Sequence, residues 1–152
     1  MKQETIIRFA EPKDINELVL LCEAHAIYEK AVYETKGKAE LLEQYIFAAD
    51  SPIFCLVAEY NNKLIGYATY MKQFSTWDCC FYVYMDCLFL AENARSKGIG
   101  EQIVNRIKAE TAKMNIDWIQ WQTPDFNIRA IKFYKRIGAS AKTKERFFLK
   151  SK

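Results

Sequence analysis

The stretch Arg95-Ser96-Lys97-Gly98-Ile99-Gly100 holds the residues of this chain best suited to gripping an anion. It follows a buried-looking run ending in Leu88-Phe89-Leu90 and opens into residues with helical spacing. Glycines let backbone amides come close to an anion, and the unpaired N–H groups and dipole of a helix start attract negative charge. Arg95 and Lys97 add cationic contacts. Two glycines and a basic residue also make ordinary turns, and it is the place between a strand and an amphipathic helix that favours phosphate. A Walker loop would need Gly-Lys-Ser/Thr after its spacer, and none is present. A dinucleotide fingerprint would need a third glycine where Ile103 stands. A ligand with a pyrophosphate and a long arm running along the strand fits better.

Other reactive residue types are less informative. The five cysteines, Cys22, Cys55, Cys79, Cys80 and Cys87, lack metal-ligand spacing, and their odd number argues against a disulfide framework. No metal site is expected. Cys87 invites a covalent acyl-enzyme, but no histidine motif accompanies it, and a small buried hydrophobe is the better reading. His25, the one histidine, falls on a helix in a surface or structural role.

The elements that must position the cradle follow from periodicity. A short β-prone run spans Thr5 to Phe9, and Pro12 fits the first turn of the next helix. Ile15, Leu18, Val19, Cys22 and Ala26 recur at helical spacing between Asp14 and Tyr28. A second helix covers Ala39 to Ala48, after Gly37. Ile53 to Ala58 is a buried strand, Asn61-Asn62 a turn, and Leu64 to Met71 its hairpin partner. Phe81 to Leu90 is a long strand. From Gly98 a helix aligns Ile99, Ile103, Val104 and Ile107. Trp118 to Gln122 is a strand, Asn127 to Ile137 a helix closed by Gly138, and Glu145 to Lys150 a final strand. The pattern is one mixed α/β domain over residues 1–152.

Composition sets outer bounds. With 152 residues, 51% hydrophobic and 27% charged, the chain suits one globular domain. The 14% aromatic content fits a well-filled core or an aromatic-walled cleft. A net charge of +3, with no run of five like charges, makes nucleic acid a poor partner. The opening residues show no signal-peptide apolar region and no run reaches membrane-spanning length, so the reducing cytoplasm is the expected home.

The cradle, together with Asn127-x-x-Ala130-x-x-Phe133-Tyr134-Lys135-x-x-Gly138-Ala139, resembles the two motifs of the GNAT superfamily of N-acetyltransferases. The closer resemblance is to spermidine/spermine N-acetyltransferases. It runs from Ile7-Arg8 through Tyr28-Glu29-Lys30, Leu41-Leu42-Glu43, Cys55-Leu56-Val57-Ala58-Glu59 and Tyr84-Met85-Asp86 to Tyr134-Lys135-Arg136. The fold this implies is a mostly antiparallel twisted sheet with one splayed parallel strand pair, flanked by helices. The cosubstrate it implies is acetyl-coenzyme A, and the assembly a homodimer with sites near the subunit interface.

Roles follow from the resemblance residue by residue. An alkylammonium must lose a proton before it can attack, and Asp86 stands where the polyamine enzymes have a glutamate, its shorter arm favouring a water relay. Tyr134 matches the tyrosine that protonates the leaving thiolate, a suitable task for a phenol with an ordinary pKa of about 10. Leu88, Phe89 and Leu90 would offer backbone hydrogen bonds to the acyl and pantetheine groups. Ser96 through Glu101 would hold the pyrophosphate, and Asn127, Ile128, Arg129 and Ala130 would touch its other side. Tyr28, Glu29, Trp77, Asp86, Gln120, Trp121 and Gln122 would surround the amine, with Trp77 offering a cation–π face.

Two departures bear on the acceptor. Cys87 replaces an acidic neighbour of the catalytic carboxylate, and Phe74-Ser75-Thr76-Trp77 lacks the aspartate that precedes the tryptophan in polyamine enzymes. A monoamine, diamine or amino-acid-like amine therefore suits the chain as well as a polyamine. The competing functions are an aminoglycoside or protein N-acetyltransferase, or a coenzyme A-binding sensor without turnover.

Overall fold

The computed structural model describes residues 4–152; Met1–Gln3, read above for a leader, lie outside it. The chain divides into two compact units, one ending at Gln122 and the other comprising Thr123–Lys152.

The first unit is a five-stranded sheet with helices on its faces. Its strands β1 (Ile6–Phe9), β2 (Ile53–Tyr60), β3 (Lys63–Ser75), β4 (Cys80–Leu90) and β5 (Ile119–Trp121) lie side by side in chain order. The first four pair antiparallel; β5 joins β4 parallel. A parallel partner needs a crossover, and helix α3 (Ile99–Lys113) supplies it. Asn61 and Asn62, at φ 53° and 58°, make the two-residue turn that joins β2 to β3 with the twist a hairpin needs.

The sheet has two buried faces. Cys55, Val57, Tyr67 and Phe89 pack against α1 (Ile15–Tyr28) through Leu18 and Leu21, with Leu42 and Ile46 of α2 (Lys38–Ile46) at the margin. Leu56, Ala68, Tyr70, Val83 and Met85 alternate with these and are buried on the side of α3, whose Ile99, Ile103 and Ile107 are buried in turn. Both α1 and α3 end in a left-handed residue, Lys30 at φ 59° and Asn115 at φ 57°, with the paired reverse hydrogen bonds that stop a helix.

One charged cluster closes the first unit at its edge. Asp14, 4% exposed, takes two hydrogen bonds from the Arg8 guanidinium at 2.7 and 2.9 Å and one from the Glu11 amide at 2.7 Å. Arg8 Nε donates to Glu59 on β2 at 2.8 Å. A buried carboxylate is tolerated because these partners replace its water.

The second unit contains α4 (Ile128–Arg136). The Asn127 side chain accepts from the Ala130 amide at 3.3 Å and so caps its start. Gly138, at φ 97°, closes it, with Ala139 N–H on Tyr134 C=O and Gly138 N–H on Lys135 C=O. The expected strand at 145–150 is absent. Phe147, Phe148 and Leu149 have β-prone side chains but are exposed, and this unit offers no strand for them to pair with.

Two stability outcomes follow. Arg8, first by hydrogen bonding, holds the Asp14 carboxyl below the usual carboxylate range. Its contribution is therefore complete above the unfolded value of about 4 and disappears as pH falls through the lower folded value. Asp14→Asn should cost about 3 kcal/mol in urea titration at neutral pH and flatten the acid limb of the stability profile. The Tyr70 hydroxyl is buried with no hydrogen-bond partner among the described residues, so Tyr70→Phe should leave stability unchanged or raise it by about 1 kcal/mol.

Candidate active site

The site begins with a break in pairing. Thr69 faces Cys87 and Tyr70 faces Met85, so Asp86 is an extra residue with no partner on β3. Such a bulge re-aims the side chain it carries and bends the strand. Asp86 is exposed, between buried Met85 and half-buried Cys87.

The other edge of β4 is released at the same point. The register with β5 runs Val83 with Ile119, Tyr84 with Gln120 and Met85 with Trp121, and β5 ends there. Within this unit the backbone from Cys87 to Leu90 pairs with β3 alone. Gly66 lets β3 come close beneath it: a Cβ at that position would lie 2.8 Å from the Phe89 carbonyl oxygen and collide with the Leu90 side chain. Sequence reading passed over Gly66 because closeness of two strands is not a property of either one.

The cradle follows within a few residues. A 3₁₀ turn (Glu92–Ala94) leads to Arg95, then Ser96 at φ 60° and Gly98 at φ 77°, and α3 starts. Left-handed residues between extended and helical ones turn successive N–H groups toward one concave side, a geometry that binds anions. The first helical hydrogen bond runs from Gln102 N–H to Gly98 C=O at 3.1 Å, so the Ile99, Gly100 and Glu101 amides precede the internal ladder. Lys97 is exposed beside them. Arg95 folds back: its guanidinium sits 4.3 Å over the Tyr28 ring and 5.4 Å from Phe89, and Nε donates to the Leu90 carbonyl at 3.0 Å. The basic residue of the cradle thereby grips the end of α1 as well as the end of β4.

The structure brings Tyr28, at the end of α1, to Phe89 and Arg95, with Tyr28 and Phe89 ring centroids 6.2 Å apart, while Glu29 Oε1 lies 3.2 Å from His25 Nε2. Gln120 and Trp121 pair with Tyr84 and Met85, the two residues before Asp86, and Gln122 follows directly. Trp77 does not come there. It is 93% exposed in the turn linking β3 to β4, and six residues of strand from Cys80 to Asp86 put it about 20 Å away. Asn127, Ile128, Arg129, Ala130 and Tyr134 lie in the second unit, on α4 and its cap, with the Phe133 and Tyr134 rings 5.2 Å apart.

Sequence reading named Cys87 and His25 singly but did not join them with Tyr67 behind β4. Tyr67 and Cys87 share the α1 face of the sheet, and His25 hydrogen-bonds Tyr67 from α1. Burial first, and the Asp86 charge second, push the Cys87 thiol up to about 12; burial also raises Tyr67. Both stay protonated at neutral pH. The only signal available beforehand was the adjacency of Asp86 and Cys87. No group of three or more histidine, cysteine or acidic residues suited to a metal occurs among the described residues, nor a helix long and apolar enough to cross a membrane.

Residues 14–139 match the family described as "Acetyltransferase (GNAT) family". The chain is 26% identical to a mouse (Mus musculus) thialysine N-epsilon-acetyltransferase over 153 residues, covering 95% of this chain and 89% of that one. An integron cassette protein from V. cholerae superposes with a TM-score of 0.80 at 27% identity, over 97% of this chain and 93% of that one. An aminoglycoside N-acetyltransferase solved in complex with CoA gives 0.82 at 14% identity, over 99% and 97%, a likeness of fold.

Because Gly66 carries the close approach of β3 to the released end of β4, Gly66→Ala should lower stability by about 1–3 kcal/mol in thermal or urea unfolding. A substitution at Gly37, where an added Cβ meets nothing within 4 Å, should act only through its left-handed φ of 73°.

Proposed function

Because this chain belongs to the GNAT family of acetyltransferases, we propose that it transfers acetyl from acetyl-coenzyme A to a primary amine of a small molecule, by direct attack in a ternary complex. The observation that carries this is the continuity of two binding features: a strand edge released at Asp86, and a left-handed amide cradle from Ser96 into α3. The cradle suits a pyrophosphate, and the Leu88–Leu90 backbone suits the amide-bearing arm that would follow it. Lys97 and Arg95 add positive charge. The resemblance of the Asn127–Ala130 segment to the second motif supports a role for it in binding the cosubstrate.

Acetyl-coenzyme A supplies the activated acyl thioester when bound. The residues of the chain supply proton management and alignment. Asp86, turned outward by the bulge, takes the proton from the incoming ammonium, directly or through one water. Tyr134 donates its phenolic proton to the departing thiolate. The motif Asn127-x-x-Ala130-x-x-Phe133-Tyr134 is the support for that assignment.

The acceptor is an amine with a modest positive charge. Cys87 stands where a polycation site would gain from a second carboxylate. The 26% identity to a thialysine acetyltransferase supports an amino acid with a side-chain amine. Tyr28, Glu29, Gln120, Trp121 and Gln122 would frame it. Trp77 lies too far along β4 to serve Asp86 of its own chain, and a homodimer that lends it to a partner's site reconciles the two roles. Five unpaired thiols suit a reducing cytoplasm.

Release of free thiol from acetyl-coenzyme A, with thialysine, other amino acids, polyamines and aminoglycosides as acceptors, tests the reading. Amino-acid or diamine acceptors should release thiol fastest. Asp86→Asn and Tyr134→Phe should each lower kcat by about 100-fold, with little change in the KM for acetyl-coenzyme A. Unchanged release in both variants would remove the assigned roles. Tight coenzyme A binding without release for any amine would make the protein a sensor.

A further inference from the structure

Arg95 stands directly before the cradle, but its side chain reaches across to another element. The guanidinium sits 4.3 Å over the ring of Tyr28, the last residue of α1, and 5.4 Å from the Phe89 ring. Its Nε donates to the Leu90 carbonyl at 3.0 Å, the one hydrogen bond this guanidinium makes among the described residues. The two Nη atoms keep their N–H donors, beside Ser96 at φ 60°, where the left-handed turn of the cradle begins. The Tyr28 ring also meets Phe89, with centroids 6.2 Å apart, and stays 38% exposed. An arginine can bind a phosphate with one edge while its face covers an aromatic ring. Here one side chain is placed to do both.

Building on the function proposed above, we propose that Arg95 is a positioning residue that couples the two substrate sites. Coenzyme A held in the cradle fixes, through Arg95, the Tyr28 ring as a wall of the amine site, and so strengthens binding of the acceptor. One hydrogen bond and one aromatic face hold the guanidinium. A phosphate accepting from the Nη groups adds a third restraint and keeps the cation over the ring. The amine then meets a wall already ordered, and its binding no longer carries the cost of ordering it. The coupling is reciprocal, so a bound amine strengthens coenzyme A binding by the same factor.

Calorimetric titration of coenzyme A tests this, first into the unaltered chain alone, then with whichever amine of the panel releases thiol fastest. The amine should tighten coenzyme A about tenfold, within the range such couplings span. Arg95→Lys keeps the positive charge but loses the Nε bond and the planar face, and Tyr28→Leu loses the ring. In each the ratio should fall to about one, and the amine KM in thiol release should rise about tenfold. Tyr28→Phe keeps the ring and should keep the ratio. Lys97→Gln, which removes a charge from the same loop, should weaken coenzyme A with and without the amine alike. His25→Gln disturbs the same end of α1 through Tyr67 rather than Arg95, and it should also keep the ratio. A merely structural Arg95 would lower stability on substitution and leave the ratio in place. A ratio of about one in the unaltered chain, or a full ratio in Arg95→Lys or Tyr28→Leu, overturns the coupling. Loss of the ratio in Tyr28→Phe, Lys97→Gln or His25→Gln counts against it too. Failure of the unaltered chain to release thiol with any amine defeats the function, and the coupling with it. Thiol release without the ratio defeats the coupling alone.

Discussion

The one-residue mismatch between β3 and β4 governs the rest of the candidate site. Strict alternation would put Val83, Met85, Cys87 and Phe89 on one face of the sheet. The extra residue at Asp86 divides them: Val83 and Met85 remain on the Tyr70 side, while Cys87 and Phe89 pair with Thr69 and Tyr67 on the α1 side. A single bulge thus turns out a carboxylate, places a thiol behind it and presents Phe89 to His25. The end of β5 at Trp121 coincides with it, so the strand leaves its parallel neighbour where its antiparallel register changes.

Around that point the charges divide by burial. Asp14 is enclosed by Arg8 and the Glu11 amide and holds the sheet edge to the start of α1. Asp86 and Lys97 stay exposed, where an ammonium and a phosphate can reach them. Arg95 belongs to both groups. Its guanidinium lies over Tyr28 and its Nε holds the Leu90 carbonyl, so the residue that marks the anion loop also fixes the aromatic wall beside it.

Local chemistry was legible in advance. The Asn61-Asn62 turn, the capped and glycine-closed helix around Tyr134, and the strand, loop and helix order of the cradle all depend on neighbours within a few residues. The strand expected at 145–150 failed for the converse reason. Phe147, Phe148 and Leu149 carry β propensity, but a strand exists only by pairing, and propensity says nothing of a partner.

The amino-acid sequence by itself determined most of the elements, the strand, loop and helix order around residues 95–100, and the family, because backbone conformation and motif spacing are written in short-range chemistry. The tertiary structure decided which side chains meet. Asp86 gained its outward aim from a register shift, Gly66 its purpose from the neighbouring strand β4, and His25 its partner Tyr67 from β3. Those outcomes rest on contacts between residues up to tens of positions apart, which no local pattern of types and spacing encodes.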